Sequence, residues 1–184
     1  MFVKNKKSGA GFTLIELLIV IAIIAILASV IFVALNPLDR FRDSRDAARY
    51  TDVESIAHAI ELDQVDNGGE YMSTIQNMVT GTFYMIVDGN GSSAMSYGCD
   101  DNDTYCDANV GGDGYCVDLD ELVDQGYLGD IPVAPNHAGA NVTWDDGNSG
   151  EDEGTGYTLR RNLNGTITVQ SCDSENTTDI FVVR

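Results

Sequence analysis

The chain has 184 residues, with 29 Asp and Glu against 10 Lys and Arg, for a formal net charge of −19. From Tyr50 to Leu159 there is no Lys or Arg at all, against 22 acidic residues. This excludes a nucleic-acid-binding surface there, because phosphate contacts are made by clusters of Lys and Arg. Hydrophobic residues make up 43% of the chain. Much of that lies near the N-terminus, which leaves enough for one modest domain.

The first predicted element starts from a basic leader. Lys4, Lys6 and Lys7 precede the small residues Gly9-Ala10-Gly11, and Phe12 opens a long apolar run. From Leu17 to Leu35 the only polar side chain is Ser29. A 24-residue helix over 12–35 would be about 36 Å long, enough to cross a hydrocarbon core of about 30 Å. Glu16 sits inside the run. A carboxylate near the start of a membrane helix costs about 2–3 kcal/mol or more unless it is paired. A cleaved signal peptide fits poorly, because the run is too long and no Ala-x-Ala triplet follows it. A plain signal anchor explains the length and the basic flank but not Glu16. A cut between Gly11 and Phe12 would create a new ammonium four residues before Glu16. In a bundle of such helices, one subunit's Glu16 could then meet another's Phe12 amine, and a buried charge would set register.

The segment Gly11-Phe12-Thr13-Leu14-Ile15-Glu16-Leu17 resembles the prepilin signature of bacterial type IV pilins and type II secretion pseudopilins. The resemblance implies cleavage after Gly11 by a membrane aspartic peptidase, N-methylation of Phe12, and an assembly role for Glu16. It implies an inner-membrane assembly platform, membrane lipid and further copies of the chain as partners. It also implies a precursor in the inner membrane that ends in a cell-surface filament. One departure is that many members carry a helix-bending proline where this chain has Val33. Here Asn36-Pro37 follows instead, and Pro37 predicts a kink.

Residues 12–37 thus read as the transmembrane or filament-core helix after a leader over 1–11, and 38–66 as its amphipathic continuation. Leu38, Phe41, Val53, Ile56 and Ile60 form one stripe at three- and four-residue spacing. Arg40, Arg42, Arg45 and Arg49 alternate with Asp39, Asp43 and Asp46. They read either as intrahelical pairs worth a few tenths of a kcal/mol each or as contacts to acidic neighbours. Asn67-Gly68-Gly69 stops the helix, and Asp66-Asn67-Gly68 is similar to the helix-to-head junction of that family. Residues 67–184 form the head.

In the head, 82–87 reads as a strand and 116–125 as a short helix with Asp118 as N-cap and Leu119, Leu122 and Val123 facing inward. The loop from Cys99 to Gly114 fails as an EF-hand: counting from Asp100, the sixth position has no Gly and the twelfth is Gly111 rather than Glu. In the loop 145–153, Asp145, Asp146, Asn148, Glu151 and Asp152 gather oxygen ligands, a candidate calcium site. The resemblance there is one of position only, and no cofactor is required. Strands follow at 157–163, 166–172 and 180–183, with Asn164-Gly165 as a hairpin turn. An α+β fold is expected: a long N-terminal helix packed on a small C-terminal antiparallel sheet.

Cys99, Cys106, Cys116 and Cys172 all lie beyond the apolar helix, and an even count in an exported domain predicts disulfides. Three pairings are open. Cys99–Cys106 with Cys116–Cys172 is favoured, the second being similar to the loop-closing disulfide of many type IV pilins. The two histidines, His58 and His137, join no catalytic motif, so no enzyme is expected. The expected function is a filament subunit. The alternative is a non-polymerising, membrane-anchored acidic binding or adhesin domain.

Overall fold

A computed structural model describes residues 11–88, 110, 115–135, 153–177 and 179–184. The chain divides after Arg40 into two units. The first holds α1, Leu14–Leu35, built almost wholly of Leu, Ile, Ala and Val. It ends at Asn36, whose backbone is left-handed (φ 36°, ψ 71°). Asn tolerates that region better than most residues.

Helix α2, Pro37–Asp66, starts immediately afterwards. Proline at the first helical position loses nothing, because the amide it lacks would have no intrahelical acceptor. The Asn36 carbonyl accepts from the Asp39 and Arg40 amides, and the Asn36 side chain donates to Asp39. The expected kink is therefore a break between two helices. Pro37 begins the second helix and does not bend the first.

The second unit packs α2 with one sheet. Strands β1 (Phe83–Asp88), β2 (Cys116–Asp118), β3 (Glu153–Arg161), β4 (Ile167–Ser171) and β5 (Phe181–Val183) lie in the order β2-β1-β3-β4-β5. β1–β3, β3–β4 and β4–β5 are antiparallel. β1–β2 is parallel, with Met85 opposite Cys116, so the sheet is mixed where a purely antiparallel one was expected. At the β3–β4 hairpin the Asn162 amide donates to Thr166 O at 2.7 Å, and Gly165 adopts φ +88°. Only glycine takes that conformation at low cost. The register of β1 shifts between Met85 and Val87. There Gly154 leaves room for Met85, whose Cγ would lie 3.3 Å from a Cβ at that position.

Two one-turn helices complete the described head, α3 (Ser73–Gln76) and α4 (Asp120–Asp124). The expected helix over 116–125 is thus half strand. β-branched Val117 and its neighbours extend the sheet beside β1, and only 120–124 turns. The N-cap of α4 is Leu119, with no side-chain cap bond, where Asp118 was expected; Asp118, one residue earlier, accepts from the Asp120 amide at 2.7 Å, and Leu119 and Leu122 are fully buried.

One core joins these elements. Val53, Ile56 and Ile60 of the expected α2 stripe, with Ala57, belong to the same buried cluster as Met85, Leu122, Tyr157, Leu159, Ile167 and Val169, whereas Leu38 and Phe41, expected in that stripe, are exposed. Polar staples fix α2 to β3 and to the turn after α4. Tyr157 Oη donates to Asp52, and Tyr127 Oη donates to Asp66 at 2.7 Å. The Asp66 bond pushes the Tyr127 phenol up to about 12. Burial, then the bond to Asp52, pushes the Tyr157 phenol well above its ordinary value.

Candidate processing and assembly site

Gly11 and Phe12 lie ahead of α1, outside any helix or strand, both exposed, Phe12 at 80%. A Cβ at Gly11 would meet nothing within 4 Å. The fold of this chain therefore places no demand for glycine there. Thr13 is the N-cap of α1 (φ −81°, ψ 151°). Its Oγ1 accepts from the Glu16 amide at 3.3 Å, and Glu16 Oε2 accepts from the Thr13 amide at 3.5 Å. This reciprocal pair is a capping box. Glu16 stands at the third helical position, where helix amides and the dipole favour a negative charge.

The box supplies the Glu16 carboxylate with partners, so it is partly satisfied within its own chain. The signal was in the sequence: Thr13-Leu14-Ile15-Glu16 has the Thr-x-x-Glu spacing ahead of an apolar run.

Beyond this cap, every described side chain of α1 is exposed. Ile15 stands at 67%, Ile26 at 64% and Val33 at 82%. Its 22 residues make a helix of about 33 Å, long and apolar enough to cross a membrane. A contiguous apolar surface of that size does not persist in water. The helix requires lipid or other apolar surfaces.

Residues 6–32 match the model of the prokaryotic N-terminal methylation motif. This is the signature of type IV pilins and pseudopilins. The chain carries it at the expected place, with Gly11, Phe12 and Glu16 inside the match. An inner-membrane-anchored, pilin-like precursor fits both the motif and α1. No curated protein and no solved structure matches the chain.

The structure separates the other expected sites. Cys116 and Cys172 are buried, and neither is a free thiol. They are not bonded to each other. Cys116 pairs with Met85 in β1, Met85 with Thr158 in β3, and Thr158 with Gln170 in β4. Cys172 follows the end of β4. Three strand spacings of about 4.8 Å put the two about 14 Å apart or more, whereas bridged cysteines have Cα atoms within about 7 Å. The favoured Cys116–Cys172 pairing is thereby overturned by sheet order, which spacing along the chain did not reveal. Cys99 and Cys106 lie outside the described residues, as do Asp145, Asp146, Asn148, Glu151, Asp152 and His137. Among the described residues no three metal-ligating side chains cluster.

The basic residues of α2 divide. Arg49 is 1% exposed and its guanidinium meets Asp46 Oδ1 at 2.9 Å, Glu175 Oε1 at 3.0 Å and Pro135 O at 2.7 Å. Arg45 Nε donates to Glu175 Oε1 at 2.6 Å. The amides of Glu175, Asn176 and Thr177 donate to Asp46 at 2.8 to 3.1 Å. Burial opposes the Asp46 charge, yet these donors outweigh it and hold the carboxyl below its ordinary value. The Arg45 bond does the same for Glu175. Arg45 and Arg49 thus clamp the loop before β5 onto α2. Arg40 and Arg42 are exposed.

Proposed function

We propose that the chain is a structural subunit of a type IV pilus or pseudopilus, made as a membrane precursor, cut after Gly11 and polymerised through α1. The observation that carries this is a fully exposed apolar helix whose first turn holds Glu16, directly behind a solvent-accessible Gly11–Phe12 bond. Glycine at position 11 answers no need of the fold, which supports a demand made by a cleaving peptidase. After the cut, the Phe12 ammonium of one copy pairs with Glu16 of another as the helices stack. The apolar surface of α1 exchanges lipid for neighbouring helices, so register comes from the charge pair more than from burial. The partners are then the peptidase and N-methyltransferase, the inner-membrane platform, lipid and further copies. The head is no enzyme. Calcium at Asp145, Asp146, Asn148, Glu151 and Asp152 belongs to this reading only as a ligand of a surface loop.

Mass spectrometry of the mature protein tests it. A chain that starts at methylated Phe12 is expected. A chain retaining Lys4 to Gly11 would instead favour the anchored, non-polymerising acidic binding domain.

The four cysteines close in the same reading. With Cys116 and Cys172 too far apart to bond, each takes one of Cys99 and Cys106. Trypsin cannot resolve this, since no Lys or Arg separates Cys99, Cys106 and Cys116. Cleavage after Tyr105 and Tyr115 without reduction does, and a Cys116–Cys172 peptide would refute the assignment.

A further inference from the structure

Two Asn-Gly pairs lie among the described residues, and their side chains are held in opposite ways. At Asn67 the carboxamide turns back along α2: Nδ2 donates to Asp63 O at 3.0 Å and to Asp63 Oδ1 at 2.8 Å. At Asn164, on the tip of the β3–β4 hairpin, the side chain turns forward past Gly165. Its Oδ1 accepts from the Thr166 amide at 3.2 Å and from the Thr166 hydroxyl at 2.9 Å. Its Nδ2 donates to no group among the described residues. Asn164 and Gly165 are both exposed to water.

The Thr166 hydroxyl has one proton, and a neighbour fixes where it goes. Asn162 Nδ2 donates to Thr166 Oγ1 at 2.9 Å, which leaves the hydroxyl proton for Asn164 Oδ1. Behind Asn162 stands a charge, since Arg160 Nε donates to Asn162 Oδ1 at 2.9 Å. Guanidinium, carboxamide and hydroxyl thus form a chain that ends on the Asn164 carbonyl, and such chains polarise each member in turn. Donors aimed at a carbonyl oxygen favour attack on its carbon. The nitrogen next to that carbon belongs to Gly165, which has φ +88° and where a Cβ would meet nothing within 4 Å. A glycine there leaves the approach to Asn164 Cγ open.

We infer that Asn164 is a self-modifying site, at which the Gly165 nitrogen closes on Asn164 Cγ and the residue is converted in water to aspartate or isoaspartate. The N–Cγ bond forms as the Gly165 nitrogen gives its proton to water, and Thr166 holds the charge that develops on Oδ1. The Cγ–Nδ2 bond then breaks, and Nδ2 leaves as ammonia with a proton from water. The succinimide adds one water. Opening at Cγ gives aspartate, and opening at the main-chain carbonyl gives isoaspartate. No oxidant or cofactor is consumed. The aspartate form still accepts from the Thr166 amide, so the turn survives with one more negative charge. The isoaspartate form adds one backbone carbon between Asn162 and Thr166, whose amide-to-carbonyl bond of 2.7 Å closes the hairpin. Asn67 is spared, because ring closure there would break both Nδ2 bonds to Asp63.

The purified full-length chain is to be incubated at mildly alkaline pH, sampled over time, reduced, cut with chymotrypsin and mapped by mass spectrometry. Cleavage after Leu62, Tyr71, Leu163 and Phe181 puts Asn67 and Asn164 on separate peptides. A time-dependent amide-to-acid mass gain is expected at Asn164, in two forms separable by chromatography, with Asn67 unchanged over the same period. An Asn164 that stays an amide, or converts no faster than Asn67, overturns the site. Thr166→Val removes the hydroxyl and keeps the backbone amide and the β-branched shape. It is expected to slow the conversion several-fold with thermal unfolding unchanged. Conversion at the wild-type rate in that variant overturns the part given to the chain from Arg160 to Thr166.

Discussion

Along α1 no described side chain is shielded by the rest of the chain, whereas α2 buries Val53, Ile56, Ala57 and Ile60 completely. The two helices meet across a single left-handed residue, Asn36. The difference shows which molecules each sequence is matched to. The α2 stripe is matched to its own sheet, so its substitutions register as stability of the head. The apolar residues of α1 contribute nothing to that stability. In the proposed function they are matched to lipid, to a processing enzyme and to other copies, so changes there are expected to register as loss of insertion, processing or assembly.

The sharpest way to break this contrast is at Glu16. Glu16→Ala is expected to abolish filaments while membrane insertion, cleavage and thermal unfolding of the head stay as in wild type. Glu16→Gln separates the capping role that the structure shows from the proposed pairing with a neighbour's ammonium. Glutamine at the third helical position keeps the capping box but carries no charge. If Glu16→Gln fails to assemble as fully as Glu16→Ala, the charge is what matters. If it assembles normally, the cap suffices and the pairing with a neighbour's ammonium is wrong.

Arg49→Met probes the other side of the comparison. It removes a guanidinium that is 1% exposed and leaves Asp46 without one of its partners. Breaking a buried ion pair costs about 3–5 kcal/mol. The backbone donors that remain on Asp46 and the Arg45 bond to Glu175 keep the expected loss near the lower figure. Denaturant unfolding of the purified chain measures it, and cleavage after Gly11 should be unaffected. A loss of cleavage with no loss of stability would invert the assignment of the two regions.

The extent to which the sequence was readable follows the same division. The stripe of α2, the stop at Asn67-Gly68-Gly69 and the strands on either side of Asn164-Gly165 depend on neighbours within a few residues, and each was visible as periodicity or turn chemistry. The parallel partner β2 was not, because Cys116–Asp118 is three residues long and its strand character comes from pairing with β1, some thirty positions earlier in the chain. The separation of Cys116 from Cys172 was hidden for the same reason: it depends on strand order, and spacing does not encode order. The clamp of Arg45 and Arg49 on Glu175 links residues more than a hundred positions apart, and helix-local charge pairing looked sufficient without it. At the candidate site the motif around Gly11, Phe12 and Glu16 is legible because it is local, and the Thr13 cap is encoded in the Thr-x-x-Glu spacing of the same stretch.

A pH series gives a smaller effect that also discriminates. Asp46 and Glu175 are held below their ordinary values of 3.8 and 4.5 in the folded head. A carboxyl depressed in the folded state contributes stability that is present above the ordinary value and lost as pH falls through the folded one. The head is therefore expected to weaken on acidification from about pH 4.5 downwards, with a shallower slope in Arg49→Met. Asp63 acts in the opposite sense. Burial pushes its carboxyl up, so its contribution is present below 3.8 and lost as pH rises through its folded value. It offsets part of the acid loss. A head equally stable at pH 3 and pH 6 would mean that the clamp contributes little.

The smallest expected effect returns to the first turn of α1. Thr13→Ala removes the hydroxyl that accepts from the Glu16 amide and keeps the Glu16 charge. Losing a helix N-cap costs about 1 kcal/mol. In a helix of 22 residues surrounded by lipid or by other helices, that loosens the terminal turn without unwinding the rest. Faster amide exchange over 14–17 and a modest fall in filament yield are expected, well short of the loss from Glu16→Ala. The cap positions the carboxylate that makes the contact in the proposed assembly, so removing the cap scatters the Glu16 side chain among rotamers without deleting its charge. Loss of filaments as complete in Thr13→Ala as in Glu16→Ala would show that orientation by the cap, more than the charge, sets the register of the helices.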